Sequence, residues 1–78
     1  MSYGNTENNL KKAYDNLWDA SFRYKGQNCG IFPNSITDIL VCIGNKDYTV
    51  SSFEDLINLD VEGINLIDIL NNTEVQYY

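Results

Sequence analysis

Apolar side chains fall at Leu10, Ala13, Tyr14, Leu17 and Trp18, the spacing that lines one face of an α-helix. Lys11, Lys12, Asp15, Asn16 and Asp19 take the opposite face. The pattern predicts a helix from about Glu7 to Ala20, capped at its start by Asn5 or Thr6. Trp18 belongs to the apolar stripe on this reading, so it is expected to be buried, and Trp18→Ala to cost about 3–5 kcal/mol. The next residues, Ser21 to Gly26, alternate Phe22 and Tyr24 against Arg23 and Lys25, as a short half-buried strand does. A loop is expected over Gln27 to Asn34, because Pro33 is a poor occupant of a central strand.

A strand from about Ser35 to Ile43 then meets a second one beyond the turn Gly44-Asn45. A two-residue turn sets Val41 opposite Tyr48, Ile39 opposite Val50, Cys42 opposite Asp47 and Leu40 opposite Thr49. A four-residue loop, Gly44 to Asp47, preserves the same sorting, and a three-residue loop does not. Opposite residues share a sheet face, so Ile39, Val41, Tyr48 and Val50 make an apolar side for the first helix to cover. Ser51 with Glu54 reads as a capping box opening a helix with Phe53, Leu56 and Ile57 on its buried side. Ile64, Ile67 and Leu70 resume a helical line after Gly63. One unbroken helix would be apolar nearly all round, so two pieces with a bend near Asp60 to Gly63 are predicted. The last residues, "EVQYY", read as a frayed end or a short edge strand. The fold class is α+β: an N-terminal helix and C-terminal helical segments on a three-stranded antiparallel sheet, in the order α-β-β-β-α(α).

Composition supports one folded domain over residues 1–78, with 44% hydrophobic residues. The longest apolar run, Ile39 to Ile43, is far too short to span a bilayer. The first residues lack a basic-then-apolar export pattern, so a cytoplasmic location is expected. Charge changes the picture more. Residues 1–46 hold all five basic residues and a balance of +1, whereas residues 47–78 hold seven carboxylates and no Lys or Arg. That half repels nucleic acid and membranes and attracts cationic surfaces.

Catalytic chemistry has little to work with. No histidine is present, which removes triads and Cys–His pairs. Cys29 and Cys42 are not spaced as a zinc motif, and no oxygen-rich calcium loop or phosphate-binding glycine loop occurs. No enzyme activity, cofactor or metal is therefore expected. Cys42, inside a strand, is expected to be a small core hydrophobe, and Cys29, in the predicted loop, to be exposed and reactive.

The stretch Asn34 to Ser52, "NSITDILVCIGNKDYTVSS", resembles the core hairpin of small type II-A anti-CRISPR inhibitors, acidic proteins that block an RNA-guided nuclease by mimicking DNA. The resemblance implies a DNA-mimic role, with Asp47 at the position where such inhibitors meet the surface that reads duplex DNA. This turn is shorter and holds Lys46. "SSFEDL" and the acidic tail are similar, more loosely, to phage inhibitors of uracil-DNA glycosylase, also DNA mimics. The implied partner is a basic nucleic-acid-binding protein, a nuclease or another DNA enzyme. Asp47, Glu54, Asp55, Asp60 and Glu62 are the candidate contact residues. Two alternatives stay open: a self-assembling structural or regulatory protein that forms a homodimer through its sheet edges, and an immunity protein against a toxic nuclease.

Overall fold

The computed structural model describes the backbone of residues 2–78 and the side chains of residues 6–78. The first helix, α1 (Ser2–Asn16), ends earlier than its apolar stripe suggests. Leu17 adopts a left-handed backbone, φ 57°. Its N–H bonds to the Tyr14 carbonyl at 3.2 Å, and the Trp18 N–H to the Ala13 carbonyl at 2.8 Å. These two bonds make a Schellman cap, normally built on glycine. The cap turns the chain away before Leu17 and Trp18 can join the buried stripe. Leu10 and Ala13 are buried, whereas Leu17 and Trp18 are 42% and 41% exposed, which overturns the expected burial of Trp18. Thr6 lies inside the helix rather than at its cap, and its hydroxyl donates to Asn71 Oδ1. The Asn5 side chain lies outside the described residues.

After β1 (Ala20–Tyr24) the predicted loop is instead a central strand, β2 (Gln27–Ser35). Lys25 and Gly26 both have positive φ, 53° and 76°, the conformation of a tight hairpin turn, so the chain reverses at once. Pro33 is tolerated because the β1 pairing stops at Ala20–Ile31 and a bulge skips Asn34. Past its neighbour's end, a missing N–H breaks no ladder on that side. Ser35 and Asp38 close the next turn, so β3 (Asp38–Ile43) starts later than predicted. It pairs with β4 (Lys46–Val50) in the register of the two-residue turn, the shorter of the two even loops the sequence allows: Ile39–Val50, Leu40–Thr49, Val41–Tyr48 and Cys42–Asp47. Gly44, at φ 60°, supplies the left-handed first position that this two-residue turn requires.

The cap of α2 (Phe53–Ile57) is Ser52, whose hydroxyl accepts from the Asp55 N–H at 3.0 Å, one residue beyond the predicted Ser51–Glu54 box. The expected break at Asp60 to Gly63 is a small hairpin, β5 (Asp60–Val61) and β6 (Ile64–Asn65), turning at Glu62 and Gly63. It is extended by the Leu66 N–H bonding to the Leu59 carbonyl at 2.9 Å. The chain then enters α3 (Leu66–Asn71) and finishes at β7 (Gln76–Tyr77). The tail is an edge strand, pairing Tyr77 with Ala20 and Gln76 with Ser21. Asp19 and Tyr78 exchange two further backbone bonds, at 2.7 and 2.9 Å. Beyond β7, Thr73 Oγ1 donates to the Arg23 carbonyl and covers the outer edge of β1.

The result is α+β with five antiparallel strands in the order β4-β3-β2-β1-β7, not three, and helices on one face. Ile31, Ile39 and Val41 from that face meet Leu10, Leu56, Leu66 and Leu70 in one core. No charged or polar side chain is buried among the described residues. Tyr14 ties the layers together: its ring lies 5.4 Å from that of Phe53, and its hydroxyl donates to the Ile36 carbonyl.

Candidate interaction surface

All the helices pack on one side, so alternate residues of every strand face outward without cover. The register aligns Asp47, Cys42, Gly30, Ser21 and Gln76 in one row across all five strands. Thr49, Leu40 and Phe32 form a second row, and Asn28 and Arg23 a third. A groove of about 880 Å³ lies over this face, its lining including Ser21, Arg23, Asn28, Phe32, Cys42, Glu74 and Tyr78. Gly30 is its floor. A Cβ added there would lie 2.5 Å from Phe32 Cζ, so the glycine lets the ring fold flat over the sheet. Leu40, Phe32 and Cys42 remain half-buried on this side, and Tyr78 is 69% exposed.

The cysteines are the reverse of the sequence expectation. Cys29 is buried at 7% exposure on the inner face, and Cys42 is half-buried on the open one. Cys29 pairs with Ile43 and Cys42 with Gly30, so the two thiols point to opposite sides of the sheet, and both are free. The strand-face arithmetic already set Cys42 opposite Asp47 rather than among the apolar partners. The error lay in treating strand membership as burial. Burial pushes the Cys42 thiol pKa up, and the Asp47 carboxylate adds to this by accepting its hydrogen bond and by its charge.

Asp47, Glu54, Asp55, Asp60 and Glu62 are all exposed, but they do not share one surface. Asp47 stands on the open face. Glu54 and Asp55 occupy the first turn of α2, in the helical layer. Asp60 and Glu62 belong to the β5–β6 hairpin, where Glu62 meets Lys46 at 3.5 Å and Lys25 at 4.0 Å. Those lysines arrive from the β1–β2 and β3–β4 turns, so the separation of charge along the chain is partly undone in space. Lys11 is likewise held by Asp15 at 2.9 Å, and Arg23 donates to the Gly26 carbonyl. Asp38 and Glu74 join the open face and were not among the sequence candidates. Asp38 could have been found by continuing the strand alternation from Leu40. Glu74 carried no local signal.

Among the described residues no three of His, Cys, Asp and Glu gather as a metal-binding group. No helix among the described residues is long and apolar enough to cross a membrane. No protein-family model matches the chain, and no curated protein or solved structure shows significant similarity to it.

Proposed function

We propose that this protein is a non-enzymatic acidic binding module that occupies the nucleic-acid-binding surface of a basic partner as a DNA mimic. One observation carries the reading. Four of the five cations, Lys11, Lys25, Lys46 and Arg23, are engaged within the molecule and Lys12 is exposed on α1, while Asp47, Glu54, Asp55 and Asp60 stand exposed outside every ion pair among the described residues. These four carboxylates alone carry −4, so the net charge of −6 is presented largely as outward negative charge. A groove lined with Lys and Arg for phosphates is the complementary surface. Electrostatic attraction speeds encounter with it, and a folded carboxylate surface competes with the nucleic acid for the same cations.

The test is affinity for the partner recovered with the tagged protein from its own cell, measured at two ionic strengths with duplex DNA as competitor. Replacing Asp47, Asp55 and Asp60 with Asn and Glu54 with Gln should weaken binding about tenfold or more and flatten its salt dependence. Duplex DNA should displace the wild-type protein. Unchanged affinity with an unchanged salt slope sinks the reading.

A further inference from the structure

The acidic reading leaves open which side of the molecule meets the partner, because the candidate carboxylates are divided between two layers. We propose that the docking surface is the uncovered sheet face, and that its occupant is a cationic amphipathic helix of the partner. This inference rests on the acidic-module reading and adds a location and a shape to it.

Charge complementarity points to a cationic occupant. Among the described residues, Asp38, Asp47 and Glu74 belong to this face against a single cation, Arg23, whose guanidinium donates to the Gly26 carbonyl. Apolar contact area is present where the carboxylates are. Phe32, Leu40 and Cys42 are half-buried between the strand ends, and Tyr78 is largely exposed beside them. Interfaces draw most of their affinity from such central apolar and aromatic groups, with charges around them setting specificity. The helical layer offers Glu54 and Asp55, whose exposed neighbours along the chain, Ser51 before α2 and Asn58 after it, are polar.

Backbone chemistry selects the helix. Apart from the outer edge of β4 and the opposite edge of the sheet, the strands of this face spend their N–H and C=O groups on one another in the plane of the sheet, none of them directed out of the face. An extended segment laid across the face would find no ladder partners and would lose its water. A helix satisfies its own backbone and covers a sheet face as α1 and α3 cover the other. Its arginines and lysines would reach Asp47 on the β4 side and Glu74 on the β7 side, and its apolar stripe would lie over Phe32 and Leu40.

The probe is a synthetic amphipathic peptide with leucine on one face and arginine on the other, titrated at low salt into the full chain and followed by amide NMR shifts. Shifts should concentrate at Ser21, Asn28, Phe32, Leu40, Cys42 and Gln76. The double variant Asp47→Asn/Glu74→Gln should weaken the peptide about tenfold, as should Leu40→Lys. Glu54→Gln/Asp55→Asn should weaken the peptide less than Asp47→Asn/Glu74→Gln does, because those two carboxylates act on it only through screened long-range attraction. Should Leu40→Lys fail to fold, the Asp47/Glu74 variant decides alone. Shifts centred on α2, with the Glu54/Asp55 variant the sensitive one, overturn the surface assignment while leaving the acidic reading standing. No saturable binding, or binding indifferent to salt and to both carboxylate sets, overturns both. Sedimentation of the peptide-free protein completes the test: a dimer that Leu40→Lys dissociates would assign the face to a second copy and overturn the proposal.

Discussion

Leu17 and Cys42 show how far a single side chain's fate depends on one backbone angle or one face of a strand. Leu17 holds a left-handed conformation that costs a non-glycine residue about 1–2 kcal/mol, while its side chain is 42% exposed and gives little packing in return. Leu17→Gly is therefore expected to stabilise the protein by about 1 kcal/mol, read as a raised urea midpoint. Trp18→Ala, by contrast, should move stability by no more than about 1 kcal/mol, because a side chain 41% exposed leaves no core cavity behind. A loss of several kcal/mol on chemical denaturation would place the indole in the core after all. For the thiols, alkylation of the native protein should modify Cys42 and spare Cys29, which is 7% exposed. Asp47→Asn should accelerate Cys42 labelling near neutral pH, since removing the carboxylate lowers a pKa that it helps to raise and so increases the thiolate fraction. Equal rates for both cysteines, or no effect of Asp47→Asn, would contradict this arrangement.

At the scale of elements, the β3–β4 hairpin was legible because its information is local. The alternation of Ile39, Val41, Tyr48 and Val50 demands an even loop to sort apolar from polar side chains, and the two-residue turn is the even loop adopted. Strand β2 was not legible by the same logic. Its Gln27–Ser35 span contains Gly30 and Pro33, both strand breakers in isolation. They are accommodated only by a folded aromatic ring at one and the end of a neighbouring strand at the other. The start of α2 differs by one residue from the sequence pattern, and this has a direct test. Ser52→Ala should cost about 1 kcal/mol through loss of the bond to the Asp55 N–H, whereas Ser51→Ala should cost almost nothing. Thermal midpoints of the two variants decide which serine is the cap.

Over the whole molecule, two groups couple stability to alkaline pH. Burial raises the pKa of both Cys42 and Tyr77, with Asp47 contributing at Cys42. Each stays protonated in the folded chain at a pH where the unfolded chain has begun to ionise. The stabilisation is complete below the ordinary values of 9.0 and 10.0 and is lost as pH climbs through the raised folded values. The combined variant Cys42→Ser/Tyr77→Phe should therefore show a flatter decline in urea midpoint between about pH 8 and pH 11. An alkaline limb identical to that of the wild type would mean that neither group ionises differently on folding. The net charge of −6 acts on the same scale. It is a property of composition, but its distribution is not: Glu62 is answered by Lys25 and Lys46 only because two turns and a hairpin converge.

From the sequence alone came the first helix, the β3–β4 hairpin with the sorting of its two faces, the break in the C-terminal helical segment and the acidity of residues 47–78, because each rests on spacing or count within a short window. Tertiary structure decided that β2 is central, that the tail closes the sheet beside β1, and that Trp18 stays outside the core. It also decided which carboxylates share a face. A strand's alternation sorts its side chains into two sides without saying which side will be covered. Only the packing of α1, α2 and α3 over Ile31, Ile39 and Val41 leaves Asp47, Cys42, Leu40 and Phe32 facing outward.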